Sequence, residues 1–241
     1  MRPDFRQITD LFQLEAAEPM SESAPKTKRL AGKNADESAD LGRASLTAGD
    51  FESAIKHFRS RIEQRGAVDP ADAVDLGAAF EYGDRIPQAY RQYQVALRLQ
   101  NEQSDARLGI AELLKRSGRV QDSLRTLDEL IQKEPANAFY RIKMAETLRE
   151  MGYPKRALLA AQAAVVCKPD ESFYHYWVGD LLIELDRNED ALESFRAAIE
   201  LSPGDDFLYL RVAVAFWRLG KRPEAIRAIR MASDLDPDKH L

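Results

Sequence analysis

SFYHYWVGDLLIELDRNEDALESFRAAIELSPGD, residues 172–205, is the stretch on which the fold turns. Its apolar residues recur in two bursts with a period of about 3.6, separated by Asp186, which reads as two helices joined by a tight turn. In the second burst a small residue, Ala191, is followed four positions later by Phe195, and this register recurs as Ala54/Phe58, Ala89/Tyr93, Ser123/Leu127, Ala157/Ala161 and Ala225/Ile229. From Ala89 onward the step is 34 residues. Proline keeps the same beat at Pro135, Pro169, Pro203 and Pro237, and glycine or aspartate closes a turn at Gly49, Asp84, Gly118, Gly152, Asp186 and Gly220. Six copies of one helical hairpin therefore fill the chain from about residue 35 to residue 239.

The pattern resembles the tetratricopeptide repeat. The fifth copy carries it best, with Val178, Gly179, Leu182, Ala191, Phe195, Ala198 and Pro203; the first matches at Leu41, Gly42, Gly49, Ala54 and Phe58 but is one residue longer. One departure is systematic, since the early tryptophan position of the family holds Ser38, Ala73, Arg107, Arg141, His175 and Tyr209. The resemblance implies an all-α, right-handed α-solenoid of about six helix-turn-helix repeats, near residues 35–69, 70–103, 104–137, 138–171, 172–205 and 206–239. It also implies a scaffold or adaptor whose concave groove is lined by the first helix, helix A, of each repeat.

Composition narrows the classes of function. With 35 Lys and Arg against 40 Asp and Glu, the net charge of −5 disfavours a protein that grips nucleic acid through its phosphates. Cys167, the single cysteine, rules out a disulfide framework within one chain and is expected to be a small buried residue. The first residues carry no signal-type apolar core and no long apolar run occurs, so the expected setting is cytoplasmic, without membrane insertion. His57, His175 and His240 lie at no catalytic or metal-ligating spacing, and no glycine-rich phosphate loop is present, so the reading is of a non-enzyme with no cofactor and no metal site.

Residues 1–34 fall outside the repeat. The polar stretch Glu18–Asn34 has little to bury and reads as a disordered tether. Ahead of it, Asp4 and Gln7 mark a helix start, and Phe5, Ile8, Leu11 and Phe12 recur at helical spacing, giving a short amphipathic helix over 4–16 that could dock in a groove, including the protein's own. The alternative is a disordered terminus with a few stray apolar residues.

Within a repeat, the core stripe of helix A in the fourth copy is Tyr140, Met144, Ala145 and Leu148, and the second helix, helix B, turns Ala157, Leu158, Ala161, Ala164 and Val165 inward. At the far end, the final helix leaves Ile226, Ile229 and Leu235 partly uncovered, which opens self-assembly as an alternative to partner capture.

The face of helix A opposite its core stripe separates the two halves of the chain. In repeats one to three it is mixed and polar. In repeats four to six it reads Phe139, Ile142, Glu146, Arg149; Phe173, Tyr176, Asp180, Ile183; and Phe207, Leu210, Val214, Trp217. A helix apolar on two faces needs two partners. The expected binding site is therefore Phe139, Phe173 and Phe207 as a ladder, with Ile142, Tyr176, Trp177, Leu210 and Trp217 as pocket walls. Lys143, Arg149, Arg211 and Arg218 would orient an apolar or amphipathic partner segment with some acidic character. The competing account wedges the rings between neighbouring helices as core, and single-stranded nucleic acid stacked on the ladder is a further alternative. The chaperone-tail clamp of the family is not kept, because Ala39, Val74, Leu108, Ile142, Tyr176 and Leu210 stand where it needs a lysine.

Overall fold

The structure, a computed structural model, describes residues 31–236, with side chains from Ala35 onward. These residues form twelve helices and no strand: α1 (Ala31–Thr47), α2 (Phe51–Arg65), α3 (Pro70–Tyr82), α4 (Ile86–Leu99), α5 (Ser104–Arg116), α6 (Val120–Lys133), α7 (Ala138–Glu150), α8 (Pro154–Cys167), α9 (Ser172–Glu184), α10 (Asn188–Leu201), α11 (Asp206–Arg218) and α12 (Arg222–Leu235). The expected helix over 4–16 lies outside the described residues. α1 already begins at Ala31, so the last four residues assigned to the tether are helical.

The chain divides into two compact units, residues 1–126 and 127–241, with the boundary inside α6. In the first, α1 packs on α2, α2 on α3, α3 on α4 and α4 on α5. In the second, α7 packs on α8, α8 on α9, α9 on α10, α10 on α11 and α11 on α12. Helix pairs stacked in this way bury a continuous row of apolar residues that one pair could not cover alone.

Three local devices build the repeat. All six predicted turn closers adopt positive φ, at Gly49 (75°), Asp84 (58°), Gly118 (77°), Gly152 (77°), Asp186 (59°) and Gly220 (73°), where glycine is free of strain and aspartate is among the few side chains tolerated. Next, helix A approaches the large residue of helix B so closely that only glycine fits. A methyl group on Gly42 would lie 2.6 Å from the Phe58 ring, on Gly77 2.7 Å from Tyr93, and on Gly179 2.5 Å from Phe195. In the fourth repeat, where helix B offers the small Ala161, the matching helix A position holds Ala145, and both are fully buried.

The third device explains the missing tryptophans. In four consecutive repeats the polar residue at that position bonds a backbone carbonyl six residues earlier, in the loop that closes the preceding repeat and leads into its own helix. Arg107 donates to Asn101 O at 2.8 Å and Arg141 to Pro135 O at 2.7 Å, His175 Nε2 lies 2.7 Å from Pro169 O, and the Tyr209 hydroxyl donates to Pro203 O at 3.2 Å. A hydrogen bond to the loop replaces apolar cover of it. His175 thus has a packing role.

Cys167 departs from expectation. It is only partly buried, and its Sγ reaches Pro135 O at 3.6 Å, because the end of α8 rises out of the core toward that loop. Leu158, Ala161 and Ala164 of the same helix are buried as expected, while Val165 is half-buried.

The first unit also holds an ionic centre. Asp72 is fully buried in α3, with Arg61 Nη1 at 2.8 Å and Arg65 Nη1 at 3.2 Å, and Asp75 lies 3.2 Å from Arg61 and 3.4 Å from Arg43. Two arginines of α2 and one of α1 are thereby pinned to α3.

Candidate functional site

The candidate site lies wholly in the second unit, on α7, α9 and α11. Each of these helices starts just after a loop, and Asn137 and Asp205 cap α7 and α11 by accepting from the backbone N–H of Phe139 and Phe207. The caps fix the first turn and so fix where the ladder residues emerge. Phe139 is 39% exposed and Phe173 and Phe207 are each 47% exposed. These rings are not wedged shut between neighbouring helices.

Phe173 and Phe207 bound an open trough of about 480 Å³ with Tyr176, Leu208 and Leu201, edged by Asp170, Glu171 and Asp205. The rings form a connected run. Phe173 meets Trp177 at 6.4 Å edge to face, Trp177 meets Tyr176 at 6.5 Å, and Tyr176 meets Phe207 at 5.5 Å, distances at which aromatic pairs attract. Tyr176 also leans on the core ring of Phe195 at 6.5 Å, which ties the run to the repeat interior. Phe139 carries the Lys143 ammonium over its face at 5.5 Å.

Farther along the same helices lies a second hollow of about 530 Å³, lined by Glu146, Arg149, Glu150, Trp177, Asp180, Ile183, Glu184, Arg211 and Arg218. Asp180, 5% exposed, is its hub. Arg149 Nη1 sits 2.9 Å from Asp180 Oδ2 and its Nε 2.7 Å from Glu184, while Arg211 pairs with the other oxygen of Asp180. Arg218 donates to Ile183 O at 2.8 Å, and the Arg149 guanidinium lies over the Trp177 ring at 5.9 Å. Burial pulls the Arg211 guanidinium below its usual pKa; Tyr176 opposes this, and the nearby positive charges of Arg149 and Arg218 add to it. Two guanidinium groups share one buried carboxylate, which holds them in place, and Arg218 is anchored beside them on the Ile183 carbonyl.

This geometry corrects the expected site at two points. Ile142 (1% exposed) and Ile183 (3%) are core residues, because α7 and α9 each turn one member of that face into the neighbouring helix. Leu210 is half-buried, and Val214 and Trp217 are exposed, Trp217 with Arg222 over its ring at 5.5 Å. The cations assigned to an acidic partner are engaged within the chain, with Lys143 held by Glu146 at 3.1 Å and Arg149 and Arg211 by Asp180. Asp180 lies on the same helix face but outside the expected site; a lone carboxylate inside Val178-Gly-Asp-Leu-Leu-Ile183, flanked by arginines in the repeats on either side, is its readable sign as an internal ion pair.

Residues 142–206 match the family model described as tetratricopeptide repeat. This segment carries tetratricopeptide repeats. Solved structures of the same architecture agree with this fold. TTC0263, a thermophilic tetratricopeptide protein of Thermus thermophilus, superposes with a TM-score of 0.63 at 17% identity over 76% of this chain and 99% of its own. MamA gives 0.58 at 18% identity, covering 68% of this chain and 96% of that one. YrrB, described as a tetratricopeptide protein with an unusual peptide-binding site, gives 0.54 at 20% identity, covering 75% and 93%. A search of curated proteins finds no match. Among the described residues, no helix of these repeats is long and apolar enough to cross a membrane, and no three His, Cys, Asp or Glu side chains gather where they could hold a metal ion.

Proposed function

We propose that the chain is a protein-binding scaffold that captures an extended or helical segment of a partner on the tetratricopeptide repeats of its second unit. Phe173, Tyr176 and Phe207 form the apolar seat, with Phe139 and Trp217 extending it along α7 and α11. One observation carries this reading: three phenylalanines in the same register, 34 residues apart, each expose a large fraction of the ring instead of burying it in the stack. Covering the exposed part of one such ring is worth roughly 2 kcal/mol. The likeness to YrrB is consistent with a peptide site on this architecture.

The partner contributes apolar side chains to the trough. Acidic flanks gain little from Arg149, Arg211 and Lys143, which are already paired, and the same pairing leaves little to attract nucleic acid phosphates. A library of random peptides displayed on phage and panned against the protein tests the reading. Selected peptides should be rich in aromatic and aliphatic residues, and panning against the Phe173→Ala and Phe207→Ala double variant should fail to recover them. Recovery of the same peptides on the double variant places the site elsewhere.

Self-association is a second reading, favoured by α12, where Ile226, Ile229, Met231 and Leu235 stand between 44% and 50% exposed. Light scattering at rising concentration, with Ile226→Asp as the contrast, separates it from partner capture. A monomer throughout removes it.

A further inference from the structure

The two most exposed aliphatic side chains of the second unit lie outside the groove. Leu159 is 67% exposed and Val166 82% exposed, both on the outer face of α8, with the small Ala163 between them on the same stripe. Single exposed apolar residues are ordinary. Here the register makes them unusual. The position of Leu159 holds Lys56, Arg91, Arg125, Glu193 and Arg227 in the other repeats, and that of Val166 holds Glu63, Arg98, Gln132, Glu200 and Asp234. Only the fourth repeat replaces a solvated outer face with an apolar stripe.

The charge on this helix is equally one-sided. α8 contains no Asp or Glu; it opens with Lys155 and Arg156, both exposed, and Lys168 follows its last residue. An occupant that fits is an amphipathic helix with an apolar stripe spanning seven residues and carboxylates at the end that meets Lys155 and Arg156. The chain contains one such segment. Phe5, Ile8 and Phe12 span the same seven residues as Leu159 to Val166, a length of about 10 Å on a helix, with Asp4 ahead of them and Glu15 and Glu18 behind.

We propose that the outer face of α8 is the docking surface for the chain's own amino-terminal segment, residues 4–16, laid antiparallel across it. In that direction Glu15 and Glu18 come to Lys155 and Arg156, the pairing that sets the orientation, while at the Lys168 end Asp4 stands between Arg2 and Arg6 and the contact rests on Phe5 and Val166. The opposed helix dipoles favour the same direction. Phe5 and Phe12 then cover Val166 and Leu159. The groove of α7, α9 and α11 stays open, so docking on α8 and partner capture are independent.

The test uses a synthetic peptide of residues 1–20 with a fluorescein at its carboxyl end, added to the full-length chain carrying Phe5→Asp and Ile8→Asp so that its own segment does not compete. Fluorescence anisotropy should show saturable binding. Adding Leu159→Asp and Val166→Asp, both at solvent-exposed sites, should weaken it by at least about tenfold with unchanged melting, whereas adding Phe173→Ala and Phe207→Ala should leave it unmoved. Binding insensitive to the α8 changes, binding lost with the groove changes, or no binding up to about one millimolar peptide each overturns the proposal. Loss with the groove changes alone would move the segment to the groove without touching the evidence that the groove binds.

Discussion

Replacing Gly179 by alanine probes the closest approach of the two helices within one repeat. The added methyl would sit 2.5 Å from Cε1 of Phe195, where ordinary contact begins near 3.4 Å, so ring and helix must part by close to an ångström. Phe195 is fully buried and touches Tyr176 at 6.5 Å, which leaves it little room to retreat. Overpacking of this kind costs about 1–3 kcal/mol, against which alanine gains about 1 kcal/mol of helix propensity over glycine. The net expectation is a loss of up to about 2 kcal/mol in urea unfolding followed by circular dichroism. Combining the change with Phe195→Leu should cost less than the sum of the two, by about 1 kcal/mol, because the smaller side chain yields the space. At the matching position of the fourth repeat, Ala145→Gly should cost about 1–2 kcal/mol, the propensity difference plus the loss of one buried methyl, since Ala161 leaves no clash to relieve. A Gly179→Ala protein more stable than wild type, or strict additivity with Phe195→Leu, would refute the packing rule.

Other consequences follow from the ionic centres. Asp180→Ala removes the carboxylate that Arg149 and Arg211 share and should cost about 3 kcal/mol in urea unfolding, at the lower end for a broken buried pair because Arg149 is open to solvent and keeps Glu184; an unchanged midpoint would show that the hub does not hold α7, α9 and α11 together. In the first unit, burial lifts Asp75 above the ordinary aspartate value of 3.8, outweighing the opposing pull of Arg43 and Arg61. A carboxyl raised in the folded state gives stability that is complete below its unfolded pKa and is lost as pH climbs through its folded one. Asp75→Asn should therefore fare better relative to wild type at about pH 7 than at about pH 3, as read by paired unfolding curves; the reverse trend contradicts the burial assignment.

The periodic features of the fold were legible because each is local. Turn closers at Gly49 through Gly220, the small-to-large register of helix B, and the core stripes of α7 and α8, save the half-buried Met144 and Val165, depend on residues a few positions apart. The exposure of Phe139, Phe173 and Phe207 was legible for the same reason, from the angular position of one slot on a helix. Ile142, expected in the site, is core instead, as is Ile183 on the same face, because a helical wheel carries no information on how deeply the next helix overlaps that face. The pairing of Arg149 and Arg211 with Asp180 joins residues 31 positions apart on either side, so cations that read as free from the sequence are bound in the fold. Cys167 failed for a related reason: its apolar character suggested the core, but the last turn of α8 rises toward Pro135 and half uncovers it.

Titration calorimetry with a panned peptide, on wild type and on the Phe173→Ala and Phe207→Ala double variant with melting curves taken in parallel, bears most directly on the claim that these rings form a binding seat. Two rings worth roughly 2 kcal/mol each, discounted by half for incomplete cover, give an affinity loss of about thirtyfold. Melting should stay close to that of wild type. Unchanged affinity, or a fall in melting that matches the loss of binding, would assign Phe173 and Phe207 to the core of the repeat and contradict the account.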